Sequence, residues 1–485
     1  MLNIKLIYKI IGSLLFLEAV FLLICLGISL FYMEDDMLAF LLSFIIIIIG
    51  GILFRYAGRN ATNTLGRRDA YLLVTLTWII FSLFGCLPFL SSGYVSSPTD
   101  AFFETMSGFT TTGASVIDDV ERLPHALLFW RSLTQWIGGL GIVFFTIAII
   151  PSLVGGNMKV FSAEATGPIR AKMHPRLTTT AKWIWSIYLL LTVGCAAAFY
   201  IFGMSIFDCL NYAMTVTATG GFSTHNDPTG YYHSAGIDYS SIVFMFLAGI
   251  SFTLLYTSIF KGRIKQLFKN SEFKLYCALV IICTLLIVIF LCIYNNYTVD
   301  DAIRYGLYQV VSFLTTTGVF NVDAAQWPHF TWVVLCVCMF FGGCAGSTAG
   351  GFKCVRGVMI LKIVRNEFKR ILHPKAILPV KVNDTNINYS AQVTLMAYFA
   401  AYMFLALLSY LVMILTGIDN TNAITVALSC ASNIGPTLSL DIGPSISWTM
   451  LPIAVKWILS ALMLMGRLEI FSVAILFTPE FWKDN

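Results

Sequence analysis

Four short phrases of threonine and glycine interrupt a chain that is otherwise dominated by apolar stretches. They read TTTGAS at residues 110–115, TATGGFS at 217–223, TTTGVF at 315–320 and SNIGPT at 432–437. Glycine adopts positive φ without steric cost, so each phrase can turn consecutive carbonyl groups to one side. Four such phrases around one axis would surround a dehydrated cation with carbonyl oxygens. Because the phrases contain no carboxylate, they favour a monovalent cation held by dipoles over a divalent cation held by acidic side chains.

The candidate ion-binding residues are the central glycine of each phrase and the two residues before it. They are Thr111, Thr112, Gly113, Thr219, Gly220, Gly221, Thr316, Thr317, Gly318, Asn433, Ile434 and Gly435. A single phrase of this kind is usually a helix end or a turn. In three copies, however, a polar residue stands thirteen positions before the glycine, at Asp100, Asp208 and Asn422; in the third copy that offset reaches Tyr305, so the fit is looser. The repeat therefore predicts the site more strongly than any one phrase.

A second glycine-rich stretch, GGCAGSTAGG at residues 342–351, interrupts a later apolar run. It allows two interpretations: small residues that permit close helix packing, or a broken helix whose loop crosses the ion path. Every side chain in the stretch is small, and none marks out one helix face, which favours the broken helix. The candidate gate residues are then Gly342, Gly343, Gly346, Gly350 and Gly351.

Arg467 lies well inside the last apolar run, and an arginine within a membrane normally faces the protein interior or water. One interpretation is a fixed ion pair with Glu469 or a bond to helix-end carbonyls. The other places its positive charge near the inner end of the ion site, where it would limit cation exit. We include Arg467 among the candidate gate residues.

The elements that must position these residues are apolar helices. The chain of 485 residues is 58% hydrophobic and only 11% charged, which predicts an integral membrane protein. Ten runs are long enough to cross a bilayer. They are Ile10–Tyr32, Met37–Phe54, Ala70–Leu90, Ala126–Ile150, Trp183–Phe202, Tyr239–Phe260, Leu275–Tyr294, His329–Gly350, Ala391–Thr416 and Trp448–Phe477.

Four shorter segments precede the phrases, at about residues 101–110, 209–219, 304–315 and 421–432. Each reaches only half of the bilayer and is predicted to be a re-entrant half-helix. The predicted fold is all-α, with about ten transmembrane helices and four half-helices. Two accessory helices (residues 1–69) precede four helix–pore–helix repeats, at 70–182, 183–274, 275–386 (with an interrupted second helix) and 387–485.

Charge placement predicts the orientation. Of the 30 lysines and arginines, 25 fall on one side of the predicted spans, which places both termini in the cytoplasm. The twelve cysteines lie mostly in apolar runs, and neither they nor the six histidines form a metal-ligand pattern. No nucleophile or phosphate-loop motif is present. We therefore expect no enzyme activity, no organic cofactor and no nucleic-acid partner.

The phrases DAFFETMSGFTTTGAS, GGFSTH, GGCAGSTAGGFK, MGRLEIF and TPEFW together resemble the Trk/Ktr/HKT superfamily of potassium transporters. The resemblance implies a pseudo-fourfold, channel-like pore in the bacterial inner membrane, with one filter glycine per repeat and an intramembrane gate at residues 342–351. A glycine at all four positions implies potassium as the transported ion. The family also implies a homodimer and cytoplasmic TrkA-type regulatory subunits that bind nucleotide. The fourth phrase lacks the hydroxyl run, so we expect an unsymmetrical filter.

The predicted function is gated, passive potassium uptake. The alternatives are a proton- or sodium-coupled potassium symporter, whose signs would be an ionisable relay and inverted repeats, and a membrane sensor that transports nothing. The similar basic loops at residues 171–177 and 369–376 could bind an acidic partner. They are equally explained by the orientation rule and by attraction to anionic lipid.

Overall fold

The computed structural model describes residues 2–62, 64–142, 177–376, 378–383, 385–438 and 447–483, and these are helical almost throughout. The all-α membrane fold is confirmed. Two long N-terminal helices, α1 (Ile4–Tyr32) and α2 (Met37–Ala57), form a hairpin. Glycines allow their backbones to approach closely, since a Cβ on Gly12 would lie 2.7 Å from the carbonyl oxygen of Gly51.

Four units follow, each with a long helix, a short helix and a further helix. The first contains α3 (Arg67–Gly85), α4 (Leu87–Ser92), α5 (Pro98–Phe109) and α6 (His125–Leu140). The second contains α7 (Leu177–Ile201), α8 (Ile206–Ala218), α9 (Ala235–Ala248), α10 (Phe252–Ile259) and α11 (Ile264–Lys269). The third contains α12 (Ser271–Tyr294), α13 (Val299–Leu314), α14 (His329–Phe341) and α15 (Cys354–Leu372). The fourth contains α16 (Tyr389–Leu415), α17 (Asn420–Ser432), α18 (Ile453–Leu468), α19 (Ile470–Ala474) and α20 (Pro479–Trp482).

A small antiparallel hairpin lies between the third and fourth units. Its strands, β1 (Val380–Val382) and β2 (Thr385–Ile387), pair Val380 with Ile387 and Val382 with Thr385. Within the described ranges, four turns of 3-10 helix are also present, at Val120–Arg122, Gly230–Tyr232, Ala324–Gln326 and Ile475–Phe477.

The short helices α5, α8, α13 and α17 begin at side-chain caps. Ser97, Ser205, Thr298 and Asp419 each accept a hydrogen bond from a backbone N–H of the first turn. The helices contain 12, 13, 16 and 13 residues. The predicted start of the third, at residue 304, is therefore wrong: α13 begins at Val299. This helix is about one turn longer than the others, which explains why its sequence register is looser.

In the part of the chain that the structure describes, six helices are long and apolar enough to cross a membrane, and up to eight if each of two bent pairs is one span. The expectation of unbroken helices at Tyr239–Phe260 and Trp448–Phe477 is wrong. The first pair, α9 and α10, bends by 101°, and α18 bends by 116° against residues 470–477. The predicted spans Ala126–Ile150 and His329–Gly350 correspond to the shorter helices α6 and α14; residues 143–150 of the former lie outside the described residues.

Candidate functional site

The four phrases adopt one backbone conformation. The residue two positions before each central glycine is left-handed, with φ of 54°, 54°, 56° and 56° at Thr111, Thr219, Thr316 and Asn433. The following N–H donates in every unit to the carbonyl five residues earlier, at 2.9 to 3.0 Å. This is the Schellman geometry of a helix end. The fourth phrase keeps it although it lacks the threonines, so the expected asymmetry lies in the side chains and not in this turn.

The central glycines Gly113, Gly221, Gly318 and Gly435 also have positive φ, from 76° to 96°. A Cβ built on each would overlap one carbonyl oxygen of the next phrase in chain order. The four carbonyl oxygens belong to Gly220, Thr317, Ile434 and, from the fourth unit back to the first, Thr112. The phrases thus form a closed ring, which we call the glycine ring. Any side chain at these glycines would push neighbouring carbonyls apart.

The glycine ring lines the bottom of a cavity of about 80 Å³. All four central glycines contact this cavity, together with Asp118 and His225 from loops and Arg131 from α6. The short helices direct their C-terminal ends, and so their partial negative charge, toward the same ring. The arrangement provides carbonyl oxygens and dipoles to a cation that enters through the cavity.

A buried ion pair lies within the first unit, between α5 and α6, and contacts the second unit. Nε of Arg131 is 2.9 Å from Oε1 of Glu104, and the side chains are 2% and 1% exposed. Arg131 also donates to the carbonyl of Ser223 at 3.1 Å and covers the ring of Phe222. Glu104 accepts from the N–H of Val116 at 2.9 Å. The pair therefore holds the segments that follow two neighbouring phrases.

The other units brace their phrases differently at the position of Glu104, nine residues before the central glycine. Tyr212 and Gln309 occupy this place in the second and third units. Each donates to a carbonyl oxygen in the segment after its own phrase, at 2.8 and 2.9 Å. The fourth unit has the apolar Val426 here. The backbone of the ring has the same conformation in all four units, but the side chains that hold it differ from unit to unit.

A further polar side chain reaches the ring from α6. Gln135 is fully buried, and its carboxamide bonds the phrase of the second unit on both sides of Gly221. The fourth unit makes a comparable link to the first: Nδ2 of Asn433 donates to Oγ1 of Thr112 at 3.0 Å. Neighbouring phrases are thus joined by side-chain hydrogen bonds as well as by backbone contacts.

His225 joins two units at the rim of the cavity. Its Nδ1 lies 3.1 Å from Oε1 of Glu121, its Nε2 lies 3.7 Å from Oδ2 of Asp208, and Tyr231 stacks on the ring at 3.8 Å. Partial burial opposes protonation, but the carboxylates of Asp208 and Glu121 outweigh it and raise the pKa of His225 above its usual value.

Beneath the glycine ring, residues 342–353 form a loop between α14 and α15, which we call the inner loop. The corresponding breaks are shorter elsewhere: residues 249–251 in the second unit and Glu469 alone in the fourth. Gly342, Gly346 and Gly351 have positive φ, from 68° to 76°. Gly343 and Gly350 leave no room for a side chain, because a Cβ would overlap Ala349 or the carbonyl of Ser432.

The inner loop binds the inner ends of three short helices. Thr348 donates to the carbonyl of Thr217 at 3.1 Å, the N–H of Gly350 donates to Oγ1 of Thr316 at 2.6 Å, and the N–H of Gly351 donates to the carbonyl of Ser432 at 2.9 Å. These contacts place the loop directly below the ring.

Arg467 reaches the same loop from α18. It donates to the carbonyl of Thr348 at 2.8 Å and to the helix-end carbonyls of Gly138 and Gly139, both at 2.6 Å. It therefore touches helix-end carbonyls, as the first interpretation predicted, and it binds the loop below the ring, near the inner end of the ion site where the second interpretation placed its charge. Glu469 forms an ion pair at 2.7 Å with Arg356 of α15.

All twelve predicted ion-site residues lie in the glycine ring, and the predicted gate residues lie in or against the inner loop. Sequence reasoning missed Glu104, Arg131 and Gln135. In the sequence, these three residues stand out as polar side chains inside apolar helices. The predicted basic loop at 171–177 lies mainly outside the described residues. Within the described ranges, no three histidine, cysteine, aspartate or glutamate side chains could hold a metal ion together.

Comparisons with known proteins agree with this architecture. A family profile described as TrkH, cation transport protein, matches residues 36–484. The Trk system potassium uptake protein TrkH of Halomonas elongata is 37% identical over 486 residues, covering 99% of this chain and 100% of that protein. TrkG of Escherichia coli K12, of the same system, is 32% identical and covers 99% of each chain. The crystal structure of the potassium transporter TrkH from Vibrio parahaemolyticus superposes with a TM-score of 0.89 at 34% identity, covering 99% of both chains.

Proposed function

Because this chain belongs to the TrkH family of cation transport proteins, we propose that it takes up potassium through the glycine ring and is closed by the inner loop. Members of this family are transporters and not enzymes. The curated relatives are potassium uptake proteins, and potassium is therefore the proposed cargo. The observation that carries the proposal is the closed ring of four glycine–carbonyl contacts, because such a ring can replace the hydration shell of a monovalent cation.

The proposed gate has two parts. The inner loop would block the path below the ring, and Arg467 would hold it there while keeping a positive charge on the path. Irregular backbone at this depth requires polar partners, and the bonds from Arg467 and from the three short helices supply them. Opening would require Arg467 to leave the carbonyl of Thr348.

We propose an inner-membrane location with both termini in the cytoplasm, a homodimer, and control by cytoplasmic TrkA-type subunits. The relatives are named as parts of a Trk system, which supports a multi-component assembly. Helix α15 supplies a suitable surface: Leu361, Phe368, Ile371 and Leu372 are 58 to 75% exposed. Basic residues on the same helix would suit an acidic partner or anionic lipid.

The test is a flux assay with purified protein in liposomes. The proposal predicts uptake of potassium down its gradient and little uptake of sodium. Absence of potassium flux from correctly inserted protein would refute it and favour a sensor. Selectivity should be lost when the central glycines are replaced by serine one at a time. If the potassium-to-sodium flux ratio is unchanged in Gly113→Ser, Gly221→Ser and Gly435→Ser alike, the assignment of these glycines to the selectivity filter is refuted.

A proton- or sodium-coupled symporter is the second candidate. One observation favours it: Glu18 of α1 is 0% exposed, and neither carboxylate oxygen has a hydrogen-bond partner among the described residues. A buried carboxyl of this kind could bind a proton. Reversal potentials measured while pH and sodium are varied separate the two candidates. A shift with the proton gradient that disappears in Glu18→Gln would favour coupling.

A further inference from the structure

The helices that follow the phrases carry an aligned buried position where one unit differs from the other three. Aligning their breaks (QWIGG, MFLAG, MFFGG and MLMGR) places Gln135 opposite Met245, Met339 and Met463. All four side chains are 0% exposed. Methionine adapts to irregular apolar space, whereas a buried carboxamide is tolerated only when its polar atoms are paired. Gln135 must therefore have a partner that the methionines do not need.

Its partner is the phrase of the second unit. Nε2 of Gln135 donates to the carbonyl of Gly220 at 2.7 Å, and Oε1 accepts from the N–H of Phe222 at 3.1 Å. The carbonyl of Gly220 is also the one against which Gly113 packs in the glycine ring. A single side chain of the first unit thus fixes the junction between the first two phrases.

The identity of Gly220 agrees with this role. The first and third phrases have Thr112 and Thr317 at the same place, and each hydroxyl lies 2.8 or 2.7 Å from that of the threonine two residues earlier. Each of those two phrases is stabilised by a hydrogen bond between two of its own threonines. A Cβ on Gly220 would overlap the carboxamide of Gln135, its nearest neighbour. The second phrase therefore has no side chain at this position and is instead held by the side chain of Gln135 from the adjacent unit.

We propose that Gln135 is a positioning residue for ion selectivity, which fixes the Gly220 carbonyl in the glycine ring. The inference rests on the proposed potassium function. Discrimination between potassium and sodium depends on the number and geometry of the carbonyl dipoles. Without the carboxamide, a buried carbonyl and a buried N–H lose their partners. The second phrase then relaxes, and the ring accepts a smaller ion more readily.

The first test converts Gln135 to the residue of the other three units. Gln135→Met fills the same space without hydrogen bonds, and we expect the potassium-to-sodium flux ratio in liposomes to fall about fivefold, as for the loss of one buried hydrogen bond, while potassium flux persists. The control is Met339→Leu, a volume-conserving change at the aligned buried position, which leaves the ratio unchanged. An unchanged ratio in Gln135→Met overturns the inference. Absence of potassium flux in the unmodified protein overturns the proposed function instead.

The second test uses rescue, and flux is normalised to the folded protein measured by size-exclusion chromatography. Gly220→Ala introduces a methyl group where the carboxamide lies, and we expect potassium selectivity to be lost. Combining it with Gln135→Ala removes the overlap, and the ratio should recover to that of Gln135→Ala alone but not to that of the unmodified protein, because the hydrogen bonds of the carboxamide are still missing. A general disturbance of the helix would not give this recovery. A double variant no better than Gly220→Ala alone would overturn the contact.

Discussion

The glycine ring and the inner loop lie next to each other but are built in opposite ways. The ring uses four equivalent turns, one per unit, and its backbone angles agree within a few degrees at the first left-handed position. The loop belongs to one unit and is held by Arg467 of another. Because a ring of equal contacts has no weak member, it is suited to constant geometry. A single insertion held by a few bonds can leave its place without disturbing the ring.

The strongest test of the rigid part removes one charge behind the ring. Glu104→Gln leaves Arg131 buried without its carboxylate, so we expect stability to fall by about 3–5 kcal/mol. Thermal unfolding of the solubilised protein measures the loss. The control is Glu367→Gln, whose ion pair with Arg370 is half exposed and should change stability little. Equal shifts for both variants would contradict a rigid ring support.

The next test adds one methyl group to the ring. Gly318→Ala forces a left-handed alanine, at about 1–2 kcal/mol, and pushes against the carbonyl of Ile434. We expect potassium flux to fall by about tenfold or more. Gly27→Ala is the control, because a Cβ there meets nothing within 4 Å. Normal flux in Gly318→Ala would mean that the ring is not the narrow point.

The movable part is tested by releasing the inner loop. Arg467→Ala removes three hydrogen bonds from a charged donor, and we expect basal flux to rise about tenfold without the regulatory subunit, with the ion preference intact. Shortening the inner loop should also raise basal flux. The increase from both changes together should be smaller than the sum of the two single increases. Unchanged basal flux in both single variants would refute the gate and favour the interpretation that the glycine stretch permits close helix packing.

The smallest effect concerns the rim above the ring. The raised pKa of His225 means that its protonated form favours the folded contact with Asp208 and Glu121. This stabilisation is complete below the unfolded pKa and is lost as pH rises through the folded pKa. Its size is about 1 kcal/mol or less. Thermal midpoints should therefore decrease more between neutral and alkaline pH for the unmodified protein than for His225→Gln. Parallel pH profiles would refute the assignment.

The repeated phrases and the break in the helix at residues 342–351 could be predicted from sequence, but the departures of single units from the repeat could not. The phrases were recognisable because TTTG recurs at a long period, and Gly113 and Gly318 stand at equal places in two copies. The extra turn of α13 was hidden because Tyr305, and not a polar residue, occupies the expected offset. The bend after α9 was not predicted because its break contains a single glycine, Gly249, and an isolated glycine is tolerated within an apolar helix.

The ring supports were also invisible in sequence for a physical reason. A glutamine such as Gln135 in an apolar helix reveals that it needs a partner but not where the partner lies. Its acceptor at Gly220 is 85 positions away, and only the closed arrangement of the units brings the two together. The pairing of Glu104 with Arg131 is similar, because either residue alone suggests only a buried charge.

The direction of the glycine contacts has a genetic consequence. Each central glycine meets a carbonyl of the next unit, never of the preceding one, among the neighbours closest to its Cβ position. The four quarters are encoded separately, so a mutation alters one quarter at a time. Second-site suppressors of a weakened Gly221 variant should therefore map to the third unit, around Thr317, and in the first unit only to Gln135, which bonds both neighbours of Gly221. A selection for growth at low potassium would recover them with that bias.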